Sequence, residues 1–349
     1  MSKPNLETRI GSVQLKNPVI AGSAEHLIDA DGVRRALKAG AGAVVVKSTN
    51  ESQAARDQLQ QAEYTVLDDQ WRPIPWNASA PRTAFVACRS GLTPQPFEAW
   101  LEQTSRLDRE ARSSDAVVVA SIILSDLDRA VAMAKQIEQE GLRVLELNIG
   151  TPYASQSAKG AVSTELLPER ITTIVTAVRS AVSIPLWVKI TGQSERVPDL
   201  AGAAFEARAD AVVMAGRLLG LIPDVETLEP ILGTTLGVGG SWHLPMTCQW
   251  LALTRSKLGP DRALIGTNGA QSGLDVARMM LAGASAVEMS SQVMLRGFEL
   301  LEQTLSELEA YLDRKQLSAS ALIGKAADSR KTFAQMTMRQ DNWRNYIPH

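Results

Sequence analysis

Short apolar runs alternate with amphipathic stretches along most of this chain, and that alternation sets the fold. Pro18-Val19-Ile20-Ala21-Gly22-Ser23 reads as a first buried strand with a small-residue end, and Ala43-Val44-Val45-Val46 as a second. Further apolar runs predict strands at 116–122, 143–149, 185–190, 210–215, 262–266 and 285–289. Helix-period patterns predict helices from Asp29 or Asp31 to Ala39 and near 126–140, 165–182, 198–207, 246–257, 272–282 and 291–313. In the last, Leu301, Leu305, Leu308 and Leu312 fall on one helix face. Strands without polar alternation belong to a parallel sheet covered on both faces, joined by right-handed crossovers. Eight strand–helix units close into a (β/α)8 barrel more naturally than into an open sheet, so the expected class is α/β.

Two stretches break the rhythm. Residues 51–114 hold Trp71, Trp76 and Gly91 with no sustained period, and are expected to cover an active site before a helix from Pro96 to about Arg112. Residues 217–245, rich in Gly and Leu, read as a second mouth loop. At the ends, Ile10, Val13 and Leu15 around Gly11-Ser12 suggest an N-terminal hairpin, and a polar tail follows Lys325. The expected division is a barrel over 1–325 and a C-terminal extension over 326–349.

Composition narrows the function. Apolar residues at 45% and charged residues at 21% of 349 give ample core for a soluble protein. A formal charge of −2 offers no basic surface for nucleic acid. Cys88 and Cys248 are isolated and build neither an iron–sulfur cluster nor a structural zinc site. Met1-Ser2-Lys3-Pro4-Asn5 lacks the apolar region of a signal peptide, and no apolar run reaches the ~18 residues of a membrane span. A cytoplasmic location without membrane contact is expected.

In such a barrel the chemistry sits where strands end. Those ends carry Ala21-Gly22-Ser23, Lys47-Ser48, Ser121, Asn148 with Thr151, Lys189, Gly216-Arg217, Gly266-Thr267-Asn268-Gly269 and Ser290-Ser291. A lysine closing an apolar strand needs an anionic partner to keep its charge. For Lys47 and Lys189 that partner is a ligand, or else the lysines reach the surface or form a barrel salt bridge with Glu146 or Glu288. The glycine turn at 266–269 and Ser290-Ser291, after the seventh and eighth strands, suit a phosphate cradle. Gly237-Val238-Gly239-Gly240 adds backbone donors but lacks the spacing of a dinucleotide fingerprint.

These segments, with Asn17-Pro18, Gly42 to Ser48, Glu146 to Pro152, Pro185 to Lys189 and Ile265-Gly266-Thr267-Asn268-Gly269, resemble the dihydroorotate dehydrogenase family of FMN-dependent TIM barrels, which includes the flavin domain of dihydropyrimidine dehydrogenase. The order and spacing match from about residue 9 to Lys325. The resemblance implies FMN in the barrel mouth, its phosphate on Gly239-Gly240, Thr267-Asn268-Gly269 and Ser290-Ser291, its ring near Ala21, Gly22, Ser23 and Ser48. It gives Lys189 the electron-accepting edge of the ring, and places Lys47 and Asn148 between flavin and substrate. It also implies a homodimer of the soluble class.

Departures from the family pattern shape the expected chemistry. Thr151 stands where the family has a cysteine or serine base, and a threonine hydroxyl is a weaker acid than a thiol. Its alternative is to hold the loop with no base operating. Asparagines that hold orotate are replaced by Cys88, Tyr153 and Gly216. Each unpaired buried polar group costs ~1–3 kcal/mol, so a substrate other than dihydroorotate, small and cyclic or unsaturated, is expected. Arg89 and Arg217 can meet a carboxylate, and Tyr153 can stack on a ring.

The leading expectation is an FMN-dependent oxidoreductase acting on CH–CH bonds, paired with a soluble electron acceptor or donor. A flavin-free phosphate-binding isomerase or lyase and a non-catalytic flavin-binding barrel are the alternatives. A tRNA dihydrouridine synthase fits poorly, lacking both the cysteine and a basic surface. Of the histidines, His26 falls near the expected ring, His243 in the second mouth loop and His349 at the end.

Overall fold

The computed structural model describes residues 4–150, 166–214, 216 and 218–348. Strands β1 (Thr8–Ile10) and β2 (Val13–Leu15) form the expected antiparallel hairpin. There follow β3 (Val19–Ala21), β4 (Ala43–Val45), β5 (Glu63–Leu67), β6 (Pro73–Ile74) and β7 (Phe85–Arg89). Next come β8 (Val117–Ile123), β9 (Leu145–Asn148), β10 (Leu186–Lys189) and β11 (Ala211–Met214). The last four are β12 (Leu218–Gly220), β13 (Leu236–Gly239), β14 (Leu264–Thr267) and β15 (Ala286–Met289). β3, β4, β8, β9, β10, β11, β14 and β15 pair in parallel, in chain order, and close on themselves. The (β/α)8 barrel is therefore present as expected.

Helices start where their caps allow. The Asp29 carboxylate accepts the Gly32 N–H at 2.9 Å to open helix Ala30–Lys38, Asp126 caps Leu127–Gln139, and Ser272 caps Gly273–Leu281. Pro168, needing no donor, opens Pro168–Ala181. The single helix expected over 291–313 is instead two, Ser291–Arg296 and Glu299–Lys315. Gly297 breaks it by adopting a φ of +88°, where a side chain would be strained.

The two interruptions are not independent loops. They fold together as a five-stranded antiparallel sheet, β12-β13-β7-β5-β6, in which Gly237, Val238 and Gly239 oppose Cys88, Ala87 and Val86. These strands satisfy one another's backbone across the mouth rather than through local order. The helix expected after them is Phe97–Ala111.

The core has two layers. Outside the barrel, strand side chains such as Val19, Ala21, Val44 and Leu147 pack against the helices. Inside, Ile20, Val45, Val119, Val144, Trp187, Val213, Ile265 and Ala286 fill one end, closed by Ile10 and Leu15 of the hairpin. At the C-terminal end, Arg255 pairs with Asp328 at 2.7 Å, and beyond it the tail is exposed, including Phe333 and Met338.

Candidate functional site

Two residues further along each strand, on the same inner face, the barrel changes character. Val144 gives way to Glu146, Trp187 to Lys189, Ala286 to Glu288 and Val119 to Ser121. All four polar residues are buried. Lys189 Nζ lies 2.9 Å from Glu146 Oε2 and 2.7 Å from Glu288 Oε2. Ser121 donates to Glu146 Oε1 at 2.9 Å. The Ser121 hydroxyl is 2.8 Å from that of Ser48, itself 3.2 Å from that of Ser23. Hydroxyls, carboxylates and one ammonium thus form a continuous line across six strands or their ends.

Electrostatics follow from this packing. Burial works against the Lys189 charge, but Glu146 and Glu288 outweigh it and hold the ammonium above its ordinary value. Burial also pushes Glu288 up to about 8, with attraction to Lys189 opposing it and the nearby Glu146 adding to it. The barrel salt bridge considered from sequence is therefore real for Lys189, with both glutamates. Lys47 instead pairs with Glu25, at 2.9 Å, from the loop after β3. Its backbone carbonyl accepts the Trp100 indole N–H at 3.0 Å, which fixes the strand end to helix Phe97–Ala111.

Above this floor opens a cavity of about 470 Å³, within the range of small-molecule sites. Ser23, Lys47, Ser48, Cys88, Arg89, Asn148, Lys189, Gly239, Gly240, Thr267, Asn268, Gly269, Ser290 and Ser291 border it. Ala21 and Gly22 do not. The Ala21 side chain lies in the outer core, and a Cβ on Gly22 would stand 2.3 Å from Ser290 Oγ, so Gly22 lets the first strand approach the last. Thr151, Tyr153 and Arg217 lie outside the described residues.

The glycine turns have the shape of a cradle. A Cβ on Gly239 would meet nothing nearer than Asn268 Oδ1 at 3.9 Å and Ser291 Oγ at 4.0 Å, so bare backbone faces the cavity. Gly269 has a φ of +105°, and a Cβ there would lie 2.5 Å from the Leu244 nitrogen. Asn268 also takes a positive φ, +67°, and its amide donates to the Gly216 carbonyl at 2.9 Å. The Thr247 hydroxyl, 3.1 and 3.0 Å from the Thr267 and Asn268 carbonyls, braces the turn from below. Backbone and hydroxyls without a carboxylate among Gly239, Gly240, Asn268, Gly269, Ser290 and Ser291 suit a phosphate. A buried cation beside Asn148 and the serine line suits a ring that gains negative charge. These residues fit FMN.

Other expectations resolve differently. Arg89 lines the cavity and is held by Glu63 at 2.5 Å and by the Leu232 carbonyl at 2.7 Å. His26 does not border the main cavity; its ring packs 5.5 Å from Phe298 and burial lowers it to about 3. His243 is buried, 3.0 Å from the Thr247 hydroxyl, and burial lowers it to about 4. Trp76, named from sequence in the expected cover, does line the cavity, whereas Glu25, Tyr64, Thr234, Thr235 and Gln292 on its wall were missed. Most come from the accessory sheet or its connections, whose position no local pattern reveals.

A family model for dihydroorotate dehydrogenase matches residues 71–312. The catalytic subunit of dihydroorotate dehydrogenase B (NAD(+)) from Methanocaldococcus jannaschii is 26% identical over 332 residues, covering 93% of this chain and 99% of that protein. The corresponding subunit from Methanocella arvoryzae is 29% identical over 320 residues, covering 90% and 96%. A crystal structure of a DHODH from Eimeria tenella in complex with ferulenol shares the fold, with a TM-score of 0.72 and 19% identity over 94% of this chain and 89% of that one. The relatives overturn the expectation of a substrate other than dihydroorotate, because nearly full-length similarity runs to dihydroorotate dehydrogenase subunits. That expectation counted only lost asparagines at 88, 153 and 216. The cavity wall also offers Thr234, Thr235 and Gln292, which the count omitted.

Proposed function

Because the chain belongs to the dihydroorotate dehydrogenase family, we propose that it oxidises dihydroorotate to orotate in the cavity at the C-terminal ends of the barrel strands. It is an FMN-dependent oxidoreductase acting on CH–CH bonds, which removes the flavin-free and non-catalytic alternatives. The observation that carries the substrate site is the convergence of Lys189, Asn148 and the glycine cradle on one cavity.

FMN, when bound, accepts a hydride from a substrate carbon. Gly239-Gly240, Asn268-Gly269 and Ser290-Ser291 would hold its phosphate, and Ser23, Ser48, Asn148 and Lys189 would surround its ring. Lys189 favours the charge that arrives with the electrons, and its two carboxylates keep it from swinging away. Asn148 accepts the Gly150 N–H at 3.1 Å through Oδ1, which orients its amide. Lys47, steadied by Glu25, stands at the cavity wall as a cation for the substrate carboxylate. Cys88 and Arg89 also line the cavity, and Arg217 and Tyr153 are carried into the proposal from the sequence alone as substrate contacts. Thr151, which by sequence stands at the family's acid/base position, would relay the proton lost from the neighbouring carbon, giving its own hydroxyl proton to water as it accepts that one.

The relatives are catalytic subunits, and among the described residues Cys88 and Cys248 are free thiols with no metal-binding cluster. Electrons would therefore leave to a separate soluble protein or cofactor. Among the described residues no helix is long and apolar enough to cross a membrane. A cytoplasmic homodimer with a barrel over 1–325 and an appended tail completes the proposal.

Anaerobic addition of dihydroorotate to the FMN-loaded protein tests the reading. The flavin absorbance is expected to bleach, and Thr151→Ala to slow the bleaching without releasing FMN. Flavin that binds and stays oxidised would sink the substrate, and protein that takes up no FMN would sink the site.

A further inference from the structure

The ion cluster holds one acidic group more than its cation can balance. Lys189 faces both Glu146 and Glu288, and all three side chains are almost wholly enclosed. Fully ionised, the trio would leave a net negative charge in a medium that solvates it poorly. The two carboxyls are not equivalent. Glu146 Oε1 accepts a hydrogen bond from Ser121, whereas Glu288 has no hydroxyl donor among the described residues and meets only Lys189 and the Glu146 carboxyl, a neighbour that favours its protonated form. Glu288 also borders the cavity. A Cβ on Gly22 would lie 3.3 Å from Glu288 Oε2, so the carboxyl sits under the first strand end.

Resting on the placement of the flavin ring beside Lys189, we infer that Glu288 is the site of a redox-linked proton, bound in alkaline solution as the flavin is reduced and released as it is reoxidised. The balance is simple. Two electrons and one proton reach the ring as hydride, and where Glu288 is ionised beforehand one proton from solvent joins it, so the charge around Lys189 then does not change. On reoxidation by the acceptor, both protons leave with the two electrons. Glu288 would act through Lys189 and is a positioning residue for its charge, not a catalytic one.

The groups facing Glu288 can be named. They are Lys189 on β10 and Glu146 on β9, while its strand neighbours on β14 and β3 place Thr267 and Ile20 beside it, neither of which ionises. Lys47 is tied to Glu25 at the same mouth. With Glu288 raised to about 8 before electrons arrive, it is protonated in both redox states at neutral pH. The linked proton therefore shows only above about pH 8, where the oxidised state loses it first.

The test is the two-electron midpoint potential of the bound FMN against pH, in the wild type, Glu288→Gln and Lys189→Met. Above about pH 8 the wild-type potential is expected to fall twice as steeply as at neutral pH, two protons per two electrons in place of one. Glu288→Gln is expected to keep the shallow slope throughout, with a neutral-pH potential close to wild type. A single slope in the wild type, or the same steepening in Glu288→Gln, would overturn the inference; the wild-type curve alone decides it if the variant does not fold. Lys189→Met separates the two levels. A lowered potential in that variant keeps the flavin beside Lys189 whatever Glu288 does, and an unchanged one removes the flavin placement itself.

Discussion

The two halves of the barrel interior are built on the same strands and differ by two residues along each. Below lie Trp187, Val144, Ala286 and Val119, sealed by Ile10 and Leu15. Above lie Lys189, Glu146, Glu288 and Ser121. The lower half derives its stability from apolar burial and makes no demand on geometry beyond shape. The upper half keeps charges out of water, which is tolerable only because Lys189 pairs with the carboxyls and Glu288 is held toward its neutral form, and gains from this a fixed cation at the cavity floor. The lower half secures the fold, and the upper half trades stability for chemistry.

Substitutions can break that contrast from either side. Lys189→Met, which leaves the Glu146 carboxylate buried without its cation, should cost about 3–5 kcal/mol in urea unfolding and weaken FMN retention. A domain with roughly 5–15 kcal/mol to spare still folds. Trp187→Ala leaves a cavity in the lower half and should cost a similar or slightly smaller amount, about 3–5 kcal/mol, while the bound flavin keeps its potential.

A pH experiment sharpens the comparison. The folded-state value of Glu288 is raised from 4.5 to about 8, so between those limits the folded protein holds a proton that the unfolded chain has lost. The group's contribution is complete below 4.5 and fades as pH rises to about 8. Glu288→Gln should therefore flatten the stability curve across that window, and an unaltered curve would show that the carboxyl is not held protonated. Ser121→Ala should have the smallest effect, about 1–2 kcal/mol, by removing the donor to Glu146. Its check is urea unfolding alongside an unchanged cavity floor.

Much of this was legible in the residues, for physical reasons. Eight apolar runs with helices between them have few solutions other than a closed barrel. Glu146 and Glu288 were visible as charges inside apolar strands, and so could be suspected as partners for Lys189. Glu25 was not, because nothing in a short loop after β3 marks it as the partner of Lys47. The accessory sheet was hidden for a related reason. β7 and β13 pair across a long separation, and Gly237 and Gly239 carry little strand propensity of their own. The break at Gly297 was masked by leucine periodicity continuing beyond it. The substrate inference went astray by treating absent asparagines as an empty wall, when hydroxyls and amides arrive from segments distant in sequence.

The measurement that tests this account most directly is the midpoint potential of bound FMN at neutral pH in Lys189→Met and in Trp187→Ala, side by side with the wild type. The prediction is a lowered potential for the lysine variant and an unshifted one for the tryptophan variant. Equal shifts in both, or none in either, would contradict a barrel whose upper half alone governs the flavin.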